Sequence, residues 1–276
     1  IIEYNNYDTV IATAWQLSIL LGKVCKTSKY KFKSIGWEHN SYEAYFQIPY
    51  FYLYKNENLF VENVRKLSQI VVLNEDYQEK YKLKLGLESS VIYNPKSFIS
   101  KEKTQLTNKQ FVACGRLHKS KGFDLLLEAF ALFCQDDQEW MLKIAGTGRD
   151  EKKLKRKAER LGIADRVFFL GHVKNMRLLL LETSIFLLTS RYEGFPMCIT
   201  EAFEIGLPVI AFDIPAMIPF KKSGAVVTVD CFEVGKYKEA MCKLSSSAEL
   251  RNDMSEKAIS FARKLSVEEI AKKWEI

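Results

Sequence analysis

Long apolar runs and paired cysteines are both missing from this sequence. No stretch of eighteen or more apolar residues occurs, and no charged-then-apolar segment at the start marks a signal peptide, which argues against a membrane-spanning or exported chain. The six cysteines show no C-x-x-C spacing, which argues against a zinc site or a redox pair. We therefore predict a cytoplasmic protein whose cysteines are reduced and serve as packing residues.

Motifs for metals and nucleic acids are also absent. The sequence has no Asp-x-Asp pair that would hold a divalent ion, and no zinc-finger or RRM signature. Its 41 Lys and Arg residues against 34 Asp and Glu give a net charge of +7, which suits an anionic ligand, peripheral contact with the inner face of an anionic membrane, or nucleic acid, and charge alone does not choose among them. We expect no metal, no cofactor and no nucleic-acid partner.

Short apolar runs alternate with amphipathic segments along the 276 residues. In the second half this alternation is typical of a parallel sheet covered by helices on both faces. Three upstream runs, at 10–13, 32–35 and 70–73, predict a second α/β region. In the second half the predicted strands are 111–114, 141–145, 167–170, 185–189, 209–212 and 225–229.

A polar, aperiodic stretch follows Asn94-Pro95 and predicts a linker between two domains. The chain starts at Ile1 and enters a strand-like run at Asp8, so we expect the beginning of a longer protein to be missing. The predicted organisation is a partial N-terminal domain over 1–95, a linker over 96–109, a C-terminal domain over 110–260 and a C-terminal helix over 261–276.

The strongest local pattern spans residues 191–210. It follows a predicted buried strand directly; Gly194 suits a tight turn, and a helix is predicted from Met197. A loop at the carboxyl end of a strand that feeds a helix is where an open α/β sheet holds an anion. Glu193 in the loop and Glu201 in the helix can accept hydrogen bonds from sugar and ribose hydroxyls. The open alternative is that Glu193 caps the helix and Glu201 is merely solvated.

A second pattern, from Cys114 to Asp124, also lies between a strand and a helix. Gly115 permits close backbone approach, and Arg116 and Lys121 can point at one anion. Two fixed cations can stabilise a departing diphosphate without metal. The alternative for these cations is solvated surface charge.

A third pattern, Ala145 to Arg149, contains the glycines Gly146 and Gly148. A dinucleotide fingerprint would need its third glycine at the position of Glu151, so this motif alone is weak. We interpret it as a tight turn whose backbone can contact a ligand.

These patterns, taken in order, resemble the GT4 family of glycosyltransferases (glycosyl transferases group 1) over residues 110–212. The resemblance is carried by Gly-Arg-Leu and the following Lys-Gly, by Ala-Gly-Thr-Gly, by Phe-Leu-Gly-His-Val at 169–173, and by Glu193-x7-Glu201 with Gly-Leu-Pro-Val. It implies an α/β fold of the GT-B type, with two Rossmann-like domains facing across a cleft. The glycine-rich loop usual after the family's first strand does not occur before Asp8, which implies an incomplete N-terminal domain.

The resemblance also implies roles for individual residues. Arg116 and Lys121 would bind the donor diphosphate, Glu193 the donor sugar and Glu201 the ribose, and His39 would reach the donor sugar from the N-terminal domain. Glu38 and Asn40 are weaker candidates for the acceptor, and the aromatic run 45–54 faces either a lipid-linked acceptor or the core. The remaining predicted donor contacts are Gly115, Gly146, Val173, Gly194, Phe195 and Met197.

The implied activity is transfer of a sugar, with retention and without metal, from a nucleotide diphosphate to a saccharide or lipid-linked acceptor. The form Glu-Gly-Phe-Pro-Met resembles bacterial exopolysaccharide and capsule transferases, which favours UDP over GDP. The alternatives are an inactive GT-B partner subunit, another GT-B enzyme such as an epimerase or inverting transferase, and an NAD-dependent oxidoreductase. The last requires the complete glycine fingerprint that this chain lacks.

Overall fold

The computed structural model describes residues 5–48 and 53–275, which divide into two compact units. The first unit comprises the described residues up to Asn94, together with Glu193–Phe195 and the described residues from Lys273 onward. The second comprises Pro95–Tyr192 and Pro196–Lys272. The main boundary therefore falls where the polar stretch begins, and the segment predicted as a linker belongs to the second unit.

The first unit contains a four-stranded parallel sheet whose strands lie side by side in chain order. The close approach of the helices Trp15–Thr27 and Glu57–Val64 requires glycine, because a Cβ on Gly22 would lie 2.2 Å from the carbonyl oxygen of Asn63. The strands are β1 (Thr9–Ala12), β2 (Lys33–Trp37), β3 (Gln69–Val72) and β4 (Ser90–Val91), and the helices are α1 (Trp15–Thr27), α2 (Tyr42–Phe46), α3 (Glu57–Val64) and α4 (Glu75–Leu85).

An aromatic cluster fills the interior of the first unit. The ring of Phe60 lies 5.6 Å from Phe46, 6.0 Å from Tyr81 and 6.4 Å from Tyr45, measured between centroids. Tyr45, Phe46 and Leu53 are buried, so these members of the run 45–54 belong to the core and present no surface to a lipid. Residues 49–52 of that run lie outside the described part of the chain.

The second unit contains a six-stranded parallel sheet, whose strands lie in the order 226–229, 209–212, 185–188, 110–114, 141–145 and 167–171. All six predicted strands are found, with ends that differ by one residue at most. They are β5 (Gln110–Cys114), β6 (Met141–Ala145), β7 (Val167–Gly171), β8 (Ile185–Leu188), β9 (Val209–Phe212) and β10 (Val226–Val229). The order along the sheet reverses between β5 and β8, and ligands of open α/β sheets bind outside the carboxyl ends of the strands at such a point.

The helices of the second unit lie between these strands and after the last one. Their bounds are α5 (Phe123–Asp136), α6 (Glu151–Arg160), α7 (Met176–Leu181), α8 (Met197–Ile205), α9 (Ile218–Lys221), α10 (Val234–Ser246), α11 (Ala248–Arg263) and α12 (Val267–Ala271).

The segment predicted as one helix over 261–276 is divided in the structure. Helix α11 ends at Arg263, and a new helix begins after Ser266, whose side chain accepts the amide hydrogen of Glu269. No helix among the described residues is long and apolar enough to cross a membrane.

Free cysteines are found at all six positions, and their surroundings differ. Cys134 is buried, as predicted for a packing residue, whereas Cys231 is exposed on the segment after β10. The prediction that every cysteine packs in the interior is therefore wrong for Cys231.

Candidate functional site

Three loops at the carboxyl ends of β5, β6 and β7 fit against one another through glycines. The amide of Gly115 donates to the carbonyl of Ala145 at 3.0 Å, and the amide of Gly146 donates to that of Gly171 at 2.7 Å. A Cβ on Gly146 would lie 1.9 Å from the carbonyl oxygen of Gly115. A side chain at position 146 would therefore force the two loops apart.

A cavity of about 550 Å³ opens at this edge of the sheet. It brings together four predicted donor contacts, Gly115, Arg116, Gly146 and Val173, which three different loops supply. The full lining is Cys114, Gly115, Arg116, Ala145, Gly146, Thr147, Gly148, His172, Val173 and Met176. The sequence predictions missed Thr147, His172 and Met176, although each lies within a few residues of a strand end.

Lys121 lies next to Gly115 of this cavity, and both its backbone and its side-chain methylene groups have neighbours there. Its carbonyl accepts the hydroxyl of Thr189 at 3.2 Å, and a Cβ on Gly115 would lie 3.5–3.6 Å from three of the Lys121 methylene carbons. The next residue, Gly122, has a φ of 67° and leaves no room for a side chain, since its Cβ would lie 1.9 Å from the Thr189 carbonyl oxygen. The half-buried Lys121 therefore runs past the backbone that lines the cavity, and Arg116 is exposed in its lining.

Glu201 lies on α8 and is half-buried. Its Oε1 accepts the hydroxyl of Ser97 at 2.7 Å. Burial raises the pKa of Glu201, while the hydrogen bond from Ser97 opposes that shift. Glu201 is thus not merely solvated, and Ser97 is a partner that the sequence predictions missed. Met197 is the first residue of this helix and is half-buried.

The segment Glu193–Phe195 belongs to the first unit. The buried hydroxyl of Tyr77 is 2.8 Å from the carbonyl oxygen of Glu193 and 3.0 Å from that of Gly194, and donates to them. The ring of Phe195 stacks on Tyr93 with 5.7 Å between centroids. Helix α8 has Pro196 as its N-cap residue, so Glu193 is not the cap of that helix.

His39 lies in the same unit as this segment. Its carbonyl oxygen would be 1.7 Å from a Cβ on Gly194, so only glycine fits there. The His39 ring is 4.5 Å from that of Trp37, and burial lowers its pKa. The structure therefore brings together His39, Glu193, Gly194 and Phe195.

Glu38 is a buried residue and does not line an acceptor surface. Its side chain is fully buried, and the hydroxyl of Ser18 donates to its Oε1 at 2.5 Å. Burial raises the pKa of Glu38 to about 7, against the lowering effect of its hydrogen bonds from Ser18 and Tyr45. The proposed contribution of Glu38 to the acceptor site is therefore wrong, and its role is internal.

Metal-ligating side chains do not cluster in the part of the chain that the structure describes. Within residues 5–48 and 53–275, no group of three or more His, Cys, Asp or Glu side chains could hold a metal ion.

Residues 96–261 match the family described as glycosyl transferases group 1, which is more than half of the chain. The chain belongs to this family. An uncharacterised glycosyltransferase of Haemophilus influenzae is 29% identical over 88% of this chain and 68% of its own length. The amylovoran biosynthesis glycosyltransferase AmsD of Erwinia amylovora is 31% identical over 59% of this chain and 46% of its own length.

Solved structures show the fold of this family member. Anabaena HepE, solved with UDP, is similar with a TM-score of 0.85 and 18% identity, over 99% of this chain and 78% of that protein. Staphylococcus aureus TarM, also solved with UDP, gives a TM-score of 0.81 and 21% identity over 96% of this chain and 54% of its own. The predicted GT4 resemblance and the α/β fold of the GT-B type are confirmed. The chain spans about half the length of TarM and AmsD.

The contact of Tyr77 with the Glu193-Gly194-Phe195 segment depends on one atom, its hydroxyl oxygen, and can be tested by removing that atom. Tyr77→Phe removes the hydroxyl that holds two carbonyls of this segment, so we expect the segment to open about fivefold more often, for one hydrogen bond of roughly 1 kcal/mol. Amide hydrogen exchange of a peptide covering 190–197 measures this.

A matched control for Tyr77→Phe is Tyr237→Phe. The hydroxyl of Tyr237 is also buried and donates to a backbone carbonyl, that of Ile210, at 2.8 Å. Exchange in 190–197 should be unchanged in that variant. Equal exchange of this peptide in both variants and the wild type would show that Tyr77 does not hold the segment.

Proposed function

We propose that this protein is a metal-independent, retaining glycosyltransferase that moves a sugar from a nucleotide diphosphate, with UDP favoured, to a saccharide or lipid-linked acceptor. Its pathway would be the synthesis of bacterial surface polysaccharide, at the cytoplasmic face of the membrane. The observation that carries the proposal is the cavity at the carboxyl ends of β5 to β7, where glycine backbone and Arg116 meet beside Lys121. Membership of the family and the UDP bound by HepE and TarM support it.

The donor diphosphate would lie on the glycine backbone of these loops. Glycine removes the Cβ that would keep phosphate oxygens away from the backbone, and the cations of Arg116 and Lys121 oppose the charge that grows as the diphosphate departs. We place the nucleobase of the donor near Val173, where His172 and Met176 also line the cavity. Glu201, oriented by Ser97, would accept hydrogen bonds from the ribose hydroxyls.

The chemical step requires no covalent attachment to the enzyme. The acceptor hydroxyl would attack the anomeric carbon from the face that the diphosphate leaves, and the departing phosphate oxygen would take the acceptor proton. We assign the contacts to the donor sugar to Glu193 and His39, and backbone contacts to Gly194, Phe195 and Met197. The protein would contribute alignment of the reactants and stabilisation of the developing charge.

Calorimetric titration in EDTA tests the donor site. We expect wild-type protein to bind UDP more tightly than GDP or NAD, with a Kd between micromolar and millimolar. Glu201→Ala should weaken UDP and uridine about tenfold each, because a charged hydrogen-bond partner of the ribose is lost. Arg116→Ala should weaken UDP but leave uridine unchanged, since uridine has no phosphate.

Glu256→Ala is the control for these titrations. Glu256 is an exposed carboxylate on α11, and its loss should change no affinity. A folded wild-type protein that binds neither UDP nor GDP would overturn the donor site and would favour the inactive partner subunit. UDP binding that requires added magnesium would overturn the metal-independent mechanism.

A further inference from the structure

Helix α6 carries a band of positive charge on its outward side. Its inward side is buried through Leu154 and Ala158. The basic face, as we define it, is formed by five exposed side chains: Arg149, Lys152, Lys153, Arg156 and Arg160. These five surround a surface depression of about 660 Å³, whose one acidic lining residue is Glu159.

The charge of the basic face is not neutralised by neighbouring acids. Lysines on the flanks of the same helix have partners, since Lys155 pairs with Glu151 at 2.7 Å and Lys157 pairs with Glu128. Within the described ranges, by contrast, no acidic side chain forms an ion pair with any member of the basic face. The contact of Arg149 is to the Nε2 atom of His118, at 2.7 Å.

This arrangement destabilises the isolated helix. Lys152, Arg156 and Arg160 follow one another at intervals of four residues, which places like charges one above the other on the helix surface. An acidic residue at position 156 could have paired with Lys152 or Arg160, as Glu151 pairs with Lys155. An external anion would offset the repulsion that the helix carries here.

We propose that the basic face binds the surface of an anionic lipid bilayer. All five side chains are exposed and long, and none of the described residues that line the depression is buried. The face therefore suits a plane of negative charge better than one small molecule. Clusters of Lys and Arg attract anionic lipids additively, within a Debye length of the surface.

The surroundings of the helix favour a bilayer over nucleic acid. Residues 149–160 contain no aromatic side chain. The exposed ring of Phe168 beside them is one platform, not the series of rings on which successive bases stack. The adjacent edge strand β7 exposes Phe168 and Leu170, which are 45% and 39% accessible and share a depression with Lys155. Apolar side chains beside basic ones gain from the boundary between lipid headgroups and acyl chains.

Vesicle sedimentation tests the proposal independently of sugar transfer. The full chain is mixed with vesicles of phosphatidylcholine alone or of phosphatidylcholine with phosphatidylglycerol. We expect binding to the anionic vesicles only, reduced by salt. The triple variant Lys152→Gln, Lys153→Gln, Arg156→Gln should bind them about 100-fold more weakly, at roughly fivefold per lost cation, with unchanged affinity for UDP or unchanged thermal unfolding.

A second triple variant controls for net charge. Lys243→Gln, Arg263→Gln and Lys264→Gln remove three exposed cations from α10 and from the end of α11, and should leave vesicle binding within about twofold of wild type. Equal loss in both triple variants, or no vesicle binding by the wild type, would overturn the proposal. Tighter binding of wild type to duplex DNA than to the vesicles, lost in the first triple variant, would assign the face to nucleic acid and would also overturn it.

Discussion

Replacing Lys121 with alanine is expected to lower the maximal rate of sugar transfer by about 10²–10³-fold. The Lys121 side chain runs alongside Gly115, which lines the candidate donor cavity. A cation there gains most in the transition state, when the bond to the diphosphate breaks and its negative charge grows. The loss should therefore appear in kcat, with less than a tenfold change in KM for the donor. Release of UDP from a UDP-sugar, measured over a range of donor concentrations, separates the two.

Lys119 provides the matched control for this prediction. The two lysines occupy the two ends of one 3-10 turn, Lys119–Lys121, but Lys119 is exposed and lines a different cavity with His118 and Arg149. Lys119→Ala should stay within about twofold of wild type, and Lys121→Arg should recover part of the rate because it restores the charge. A change confined to KM in Lys121→Ala would show that Lys121 binds the donor without assisting its departure.

The strands of the second unit could be predicted from the sequence because their signal is local. The run Phe111 to Cys114 is apolar throughout, as a strand buried on both faces must be, and a glycine follows it directly. The helix after β8 was equally clear, since Gly206 ends it at a φ of 87°. Each of these features depends on residues within one turn or one strand.

The importance of the glycine pair at 146 and 148 cannot be predicted from the motif, because the role of these glycines is not local. In sequence the motif is weak, because it lacks the third glycine of a dinucleotide fingerprint. In the structure Gly146 lies against the carbonyl of Gly115, and a Cβ on Gly148 would lie 2.3 Å from that of Leu117. These glycines therefore allow two loops to meet that are about thirty residues apart in the sequence. No pattern within the motif encodes that contact.

Polar partners distant in the sequence could not be predicted at all. Tyr77 and the carbonyls that it binds are more than a hundred residues apart, as are Ser97 and Glu201. The stretch 96–109 is polar and aperiodic, which predicts a linker. Two of its lysines, Lys96 and Lys103, are in fact anchored to Glu204 on α8. Composition cannot reveal this, since a solvated lysine and a buried paired lysine look the same in sequence.

That anchoring leads to the second large prediction, on Glu204. The side chain of Glu204 is 5% exposed and accepts hydrogen bonds from Lys96 at 2.5 Å, from the amide of Ser100 at 2.8 Å and from Lys103 at 3.1 Å. Glu204→Ala leaves the ammonium of Lys96, itself 8% exposed, buried without its carboxylate. We expect the free energy of unfolding to fall by about 3 kcal/mol, since breaking a buried pair strands a charge. Urea denaturation measures it.

The pH dependence of stability and a surface control variant test whether the loss of stability comes from the ion pair between Glu204 and Lys96. Although burial opposes it, the hydrogen bonds from Lys96, Ser100 and Lys103 lower the pKa of Glu204. The stabilisation is therefore present above the ordinary pKa of 4.5 and is lost as the pH falls through the lower value in the folded state. The difference between wild type and Glu204→Ala should shrink under those acidic conditions, while Glu256→Ala should stay within about 0.5 kcal/mol of wild type at neutral pH. A difference that does not change with pH would mean that packing, not charge, causes the loss.

The effect of Glu204 should extend to the donor site. Glu201 and Glu204 are three residues apart and lie on neighbouring positions of one helix face, and both meet the same segment, through Ser97 and Lys96 respectively. Because Lys96 directly precedes Ser97, releasing the lysine should also release the serine that orients Glu201. Glu204→Ala, titrated with UDP while still folded, should therefore bind it several-fold more weakly, although the Glu204 carboxylate makes its hydrogen bonds to Lys96, Ser100 and Lys103, outside the cavity lining. Unchanged UDP affinity in a destabilised variant would show that the segment 96–103 supports the fold without positioning Glu201.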